Sequence, residues 1–243
     1  MRLLLVNPNT STAMTASMAK AARAVALPST LIEPVQPSFG PVSIEGHFDE
    51  ALAAAGVVEQ VRLCSSAPDA VVIACFGDPG LDAAREIVDA PVLGIAEAAF
   101  HAASMLSTGF SVVTTMSRTC VIAERLVQRY GFERVCRGIH GTDIPVLDLE
   151  ACGARAAVEI EAQARRALSV DRSGAIVLGC GGMATLAASL QQRLGVPVID
   201  GVTVAVKMLE GLVGLGLKTS KRGDYAPPLA KTCTGWAASL RWG

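Results

Sequence analysis

Two cysteines carry the clearest chemistry in this sequence. Cys75 closes the apolar run Ala70-Val71-Val72-Ile73-Ala74 and is followed by Phe76-Gly77, while Cys180 follows Ala175-Ile176-Val177-Leu178-Gly179 and precedes Gly181-Gly182. Each stands at the carboxyl end of a strand-like run, where ligands bind in open α/β sheets because the next helix aims its N-terminal amides into the crevice. That position is expected to favour thiolate, since a thiol of reference pKa about 8.5 is drawn down by a helix N-terminus or oriented backbone donors. The neighbouring glycines let backbone approach a ligand closely. Two opposed thiols suit one task. A thiolate removes a proton from one face of a carbon acid, the facing thiol returns a proton to the other, and the roles swap with each turnover. A cysteine hydrolase would instead need an imidazole beside its nucleophile, and His47, His101 and His140 offer no partner close in sequence. Cys64, Cys120, Cys136, Cys152 and Cys233 read as small core residues. An odd total of seven cysteines without a C-x-x-C pair suggests neither a disulfide framework nor a zinc site.

The elements that must bring Cys75 and Cys180 together are short β-branched runs alternating with Ala-rich segments of helical period, the pattern of parallel strands crossed over by helices. Strands are expected at 2–6, 31–35, 70–74, 92–95, 110–113, 134–138, 175–178 and 196–199. Helices are expected at 11–25, 49–64, 80–88, 97–106, 118–130, 149–168, 184–193 and 202–215. Eight strands could close a barrel, but the chain repeats itself in halves. Cys75 and Cys180 stand 105 positions apart, and Pro91 and Pro197, each before a pair of apolar residues, stand 106 apart. Upstream, Leu4-Leu5-Val6-Asn7-Pro8 answers Ser111-Val112-Val113-Thr114-Thr115. The expected fold is therefore α/β with two pseudo-symmetric domains, each a four-stranded, mainly parallel sheet flanked by helices, and an active site in the cleft between them. Residues 1–96 with 207–243 form the domain carrying Cys75, and residues 97–206 the one carrying Cys180.

Composition narrows the function classes. The 243 residues are 51% hydrophobic and 18% charged, which excludes a disordered tail, a coiled coil or a low-complexity scaffold. Twenty-one Lys and Arg balance 22 Asp and Glu without long runs of either sign, and aromatics are 4%, so neither a nucleic-acid groove nor an anionic membrane surface is expected. Mean hydropathy is +0.44, yet no apolar run reaches the roughly 18 residues a spanning helix needs. The N-terminus lacks the layout of a signal peptide, so a cytoplasmic location is expected. The expected partner is a small-molecule substrate, and the chain is expected to assemble as a homo-oligomer.

Three motifs carry a resemblance over nearly the whole chain: Val6-Asn7-Pro8-Asn9-Thr10-Ser11, then Gly40-Pro41-Val42-Ser43-Ile44-Glu45-Gly46 followed by Asp49-Glu50, and the two strand-end cysteines. In this order they resemble the hydantoin racemase branch of the aspartate/glutamate racemase superfamily, which includes allantoin racemases. The resemblance implies racemisation by two bases, Cys75 and Cys180, with no cofactor and no metal. It implies Asn9, Ser43, Ile44, Phe76, Thr114, Thr115, Gly181 and Gly182 around the substrate. Read on their own, Asn9 and Thr10 could equally cap the helix near Ser11, Ser43 could stabilise a turn, and Phe76 could be plain packing. Glu45 and Asp78 make poor bases beside a thiolate and read as loop-orienting residues. Aspartate and glutamate racemases carry Cys-Asn-Thr to hold an amino acid's charged groups. Here Cys75-Phe76-Gly77-Asp78 and Cys180-Gly181-Gly182-Met183 stand instead, which points away from a free amino acid. Racemisation of 5-monosubstituted hydantoins at C5 is the expected activity, with allantoin racemisation the alternative. Maleate isomerases and arylmalonate decarboxylases are also similar, though the decarboxylases typically keep only the second cysteine. A non-catalytic two-lobed binding protein is the reading from a different class, and the paired cysteines favour the enzyme over it.

Overall fold

Strands buried on both faces need near-continuous apolar sequence, and four segments supply it, with Ser111 as a buried polar exception in the third. In the computed structural model, which describes residues 1–151 and 153–240, β1 (Arg2–Val6) and β3 (Ala70–Ile73) are central in a sheet flanked by β2 (Leu31–Val35) and β4 (Val92–Gly94). A second sheet has β5 (Phe110–Thr114) and β7 (Ala175–Leu178) at its centre, with β6 (Cys136–Gly141) and β8 (Val198–Asp200) at its edges. The orders β2-β1-β3-β4 and β6-β5-β7-β8 are the same, and all pairings are parallel. Pro34 is tolerated because β2 is an edge strand, where a missing N–H can face away from the ladder. Among the described residues no helix is long and apolar enough to cross a membrane.

The repeat survives at the level of register. Val6 pairs with Ile73, and Val113 with Leu178. Just beyond, Ala74 N donates to Val6 O at 2.8 Å and Gly179 N donates to Val113 O at 2.8 Å. Cys75 and Cys180, one residue further on, therefore occupy equivalent places, and so do Asn7 and Thr114.

The helices are α1 (Thr12–Val25), α2 (His47–Arg62), α3 (Leu81–Ile87), α4 (Ile95–Leu106), α5 (Cys120–Arg129), α6 (Asp148–Ala151), α7 (Gly153–Val170), α8 (Ala187–Leu194) and α9 (Gly201–Gly214). Alternate strand residues serve two layers. Leu3, Leu5, Val72, Val112 and Val177 join α1, α4, α5 and α9 in one core that runs between the sheets, while Leu4, Val71 and Ile73 pack outward with α2 and α3, and Val113, Ile176 and Leu178 with α7. Helix α4 packs on β7 and β8, and α9 on β3 and β4. Both central helices start directly at a strand end. At that crossing a Cβ on Gly201 would collide with the Ile95 carbonyl, so only glycine allows α4 and α9 to meet this closely. Phe100 of α4 stacks on Phe110 at 5.5 Å and receives Phe76 edge-on at 5.6 Å, tying aromatic residues from both halves.

Several expected boundaries move for local reasons. Strand β6 begins at Cys136 rather than Arg134 because Val135 N and Cys136 N both turn back to Phe132 O. The segment after Cys180 is a 3₁₀ helix over Gly181–Leu186, with α8 starting only at Ala187, since two successive glycines are poor α-helix formers. The helix expected at 149–168 corresponds to α6 and α7, which start at Asp148 and end at Val170 on either side of Cys152, a residue outside the described ones. A 3₁₀ turn at Ser117–Thr119 precedes α5.

The two central helices are capped differently. Asp200, next to Gly201, accepts from Val202 N at 2.9 Å and Thr203 N at 3.1 Å. At the equivalent position stands Gly94, and the carboxylate comes from Asp78, which accepts from Ala96 N and Glu97 N, each at 3.0 Å, and from the Tyr130 hydroxyl at 2.8 Å. A Cβ on Gly94 would run into that carboxylate. Removing the Asp200 cap by Asp200→Ala should cost about 1–2 kcal/mol of stability in urea unfolding. Gly94→Ala should lower the thermal midpoint as well, and an unchanged midpoint would show that Asp78 can move aside freely.

Candidate active site

Strand ends, loops and helix starts of both halves converge on one cavity of about 60 Å³. The loop after β3 contributes Cys75, Phe76 and Gly77, and the loop after β7 contributes Gly179, Cys180 and Gly181. Asn9 and Met14 come from the β1–α1 connection and α1, Thr114 and Thr115 from the end of β5, and Ile44 from the loop before α2. Seven of the residues expected at the site thus share its wall with Cys75: Asn9, Ile44, Phe76, Thr114, Thr115, Cys180 and Gly181. Ser43 is half-buried outside the lining, and Gly182 is outside it too, with its N–H on the Cys180 sulfur.

Each wall residue has a local reason for its place. Ser11, not Asn9, caps α1, its Oγ accepting from Met14 N at 3.2 Å. Buried Asn9 uses its Oδ1 to accept from Ser11 N at 2.9 Å and from Asn7 Nδ2 at 2.8 Å, while its own Nδ2 faces only the weakly accepting sulfur of Met14 at 3.6 Å. Thr114 donates from Oγ1 to Gly179 O at 2.9 Å, which ties β5 to the Cys180 loop. Phe76 serves both the wall and the aromatic core. Gly181 is closely packed: a Cβ there would sit 3.0 Å from Ala74 O and 2.6 Å from Met18 Sδ, so Met18 and the Ala74 backbone would both have to shift. Glu45 spans the halves by accepting from Val146 N at 2.8 Å.

Burial dominates the acid–base state of the thiols. Cys75 is pushed up to about 12, chiefly by loss of water; the Gly77 N–H pulls the other way, and negative charge on Cys180, Asp78 and Glu50 adds to the rise. Cys180 is pushed up to about 11, again chiefly by burial, with Gly182 and Met183 N–H groups opposing and Glu45 reinforcing. The expectation that these positions favour thiolate is therefore corrected: both groups are held as thiols. Helix α3 starts only at Leu81 and Cys180 leads into a 3₁₀ turn, so backbone donors are few and desolvation prevails.

The sequence reading missed Glu50, Thr119, Ile122, Ala123 and Val146 on the wall. The repeat was the available signal for Thr119 and its neighbours, since the start of α5 is the counterpart of the α1 start that holds Asn9 and Met14. Cys64 and Cys136 are half-buried and pack against the core, Cys120 and Cys233 are half-buried without joining it, and Cys152 lies outside the described residues. His101 stacks edge-on against Phe132, and His140 pairs with Asp171 at 2.6 Å, neither lining the cavity. Among the described residues no three His, Cys, Asp or Glu side chains gather as a metal-holding group.

A family model described as Asp/Glu/Hydantoin racemase matches residues 3–209. The chain belongs to this family. As a member of the Asp/Glu/hydantoin racemase family it is an isomerase of the racemase type. It is 45% identical to the hydantoin racemase of Pseudomonas sp. (strain NS671), over 97% of this chain and 95% of that one. Identity is also 45% to the hydantoin racemase of Rhizobium meliloti, over 97% and 98%. The solved allantoin racemase from Klebsiella pneumoniae superposes with a TM-score of 0.97 at 56% identity, covering 99% of both chains.

Because thiolate is the species that alkylates, raised thiol pKa values in this family member give a direct expectation. Carbamidomethylation of Cys75 and Cys180, followed residue by residue by mass spectrometry, should accelerate about tenfold per pH unit between roughly pH 7.5 and 9.5. A rate flat across that range would mean that the thiols are already ionised.

Proposed function

We propose that the chain racemises 5-monosubstituted hydantoins at C5 without a cofactor, one cysteine removing the C5 proton and the other delivering a proton to the opposite face. The observation that carries this reading is the placement of Cys75 and Cys180, equivalent residues of the two halves, on one small cavity. The thiol pair alone can move the proton in both directions, because each turnover leaves the thiolate on the other side. Proton loss from C5 places negative charge on the adjacent carbonyl oxygen, and a positioned donor lowers the barrier by meeting that charge. Asn9 is suited to this, since its Nδ2 has only a thioether as partner. Thr114 and Thr115 offer further polar contacts to the ring, and Ile44 and Phe76 its apolar ones. Backbone N–H groups of Gly77, and of Gly182 and Met183, steady whichever sulfur carries charge. We assign residues 1–96 with 207–243 and residues 97–206 to separate domains, a division supported by α4 packing on the second sheet and α9 on the first.

A ureido substituent, as in allantoin, is the second reading. It is favoured by the higher identity to the Klebsiella pneumoniae allantoin racemase than to the two hydantoin racemases. A kcat/KM for allantoin more than about 100-fold above those for 5-benzylhydantoin and 5-isobutylhydantoin, or about 2.7 kcal/mol of transition-state discrimination, decides for it.

Cys75→Ser and Cys180→Ser should each lower racemisation by roughly 10²-fold or more. Each variant should still exchange the C5 proton of one enantiomer in D₂O, and the two should serve opposite enantiomers, Cys180→Ser the D form and Cys75→Ser the L form. Turnover should survive exhaustive chelation. Wild-type racemisation by either variant would remove the two-base assignment, and loss of turnover on chelation restored by one metal would remove the cofactor-free part.

A further inference from the structure

One charged side chain lines the cavity, Glu50. It sits in the first turn of α2, where the helix N-terminus tolerates negative charge. Its Oε1 lies 2.5 Å from where a Cβ on Gly77 would be, which places the carboxylate over the backbone beside Cys75. Its Oε2 is held by His47 Nδ1 at 3.1 Å, on the exposed side. Two further carboxylates stand behind the wall, with Asp78 acting on Cys75 and Glu45 on Cys180. No lysine or arginine is among the described lining residues. Arg118 comes close to Gly46 but is exposed.

Resting on the racemase reading above, we propose that Glu50 determines specificity by charge: it closes the site to hydantoins whose C5 substituent carries a carboxylate and leaves it open to neutral substituents of the same size. The placement of Glu50 gives the effect its size. Glu50 shares the wall of this small cavity with Cys75, so a carboxylate on a short C5 substituent held beside Cys75 lies near it. Two like charges held about 6–7 Å apart at an effective dielectric near 20 repel enough to alter binding by roughly 50- to 100-fold.

The test is an isosteric pair, 5-(carboxymethyl)hydantoin and 5-(carbamoylmethyl)hydantoin, which differ in charge and hardly in shape. Wild-type enzyme should favour the carboxamide by about 30-fold or more in kcat/KM. Glu50→Gln should shrink that preference about tenfold, through a relative gain on the carboxylate substrate, whereas Glu50→Asp should keep it. Equal turnover of the pair by wild type, or an unchanged ratio in Glu50→Gln, would overturn the proposal. Failure to racemise any hydantoin, neutral ones included, would instead overturn the underlying racemase reading and the proposal with it.

Discussion

Backbone contact between the halves sets the geometry on which the rest depends. Gly201 lies against the Ile95 carbonyl with no room for a Cβ, and Gly181 lies against the Ala74 carbonyl, where a Cβ would be crowded. Each contact joins a residue of one half to backbone of the other, and Ala74 and Gly181 are the immediate neighbours of Cys75 and Cys180. The distance between the two cysteine-bearing loops is thus governed by main-chain packing rather than by flexible side chains, which suits chemistry that fails when reacting atoms are misplaced by about 1 Å. Apolar layers between the sheets supply the force that presses the halves together, and the glycines set how closely they meet.

The same closeness explains the electrostatics. Pressing the loops together takes water from both sulfurs, and burial raises both thiols despite the backbone donors aimed at them. Charge on one sulfur also opposes charge on its partner, which keeps the pair from ionising together. In the proposed mechanism one sulfur would carry the charge while the other keeps its proton, a division that this mutual opposition favours.

Much of this architecture was legible in the sequence because a parallel sheet buried on both faces writes itself as apolar runs, and a duplicated one writes itself twice. The 105-residue offset between Cys75 and Cys180 became matching register and matching strand-end hydrogen bonds. Legibility failed where tertiary contact overrides local pattern. Val146 reaches the cavity only because the loop after β6 folds toward Glu45, and nothing local marks it. Glu50 stood within a quoted motif, but its approach to Gly77 depends on how α2 sits against the Cys75 loop. The thiol pKa values depended on crowding that strand-end position alone does not reveal.

The unequal caps of α4 and α9 also bear on how a duplicated chain ages. In the second half the carboxylate grows from the strand end itself, at Asp200, whereas in the first it is borrowed from Asp78 over a bare Gly94 and clasped by Tyr130, which lies just past the end of α5 near the second sheet. The position equivalent to Asp78 is Met183, fully buried and apolar. Two copies of the second half would lack the borrowed carboxylate but keep their own, and two copies of the first would lack the Tyr130 clasp. The halves are thus complementary parts: the backbone keeps the symmetry, and the interior side chains break it.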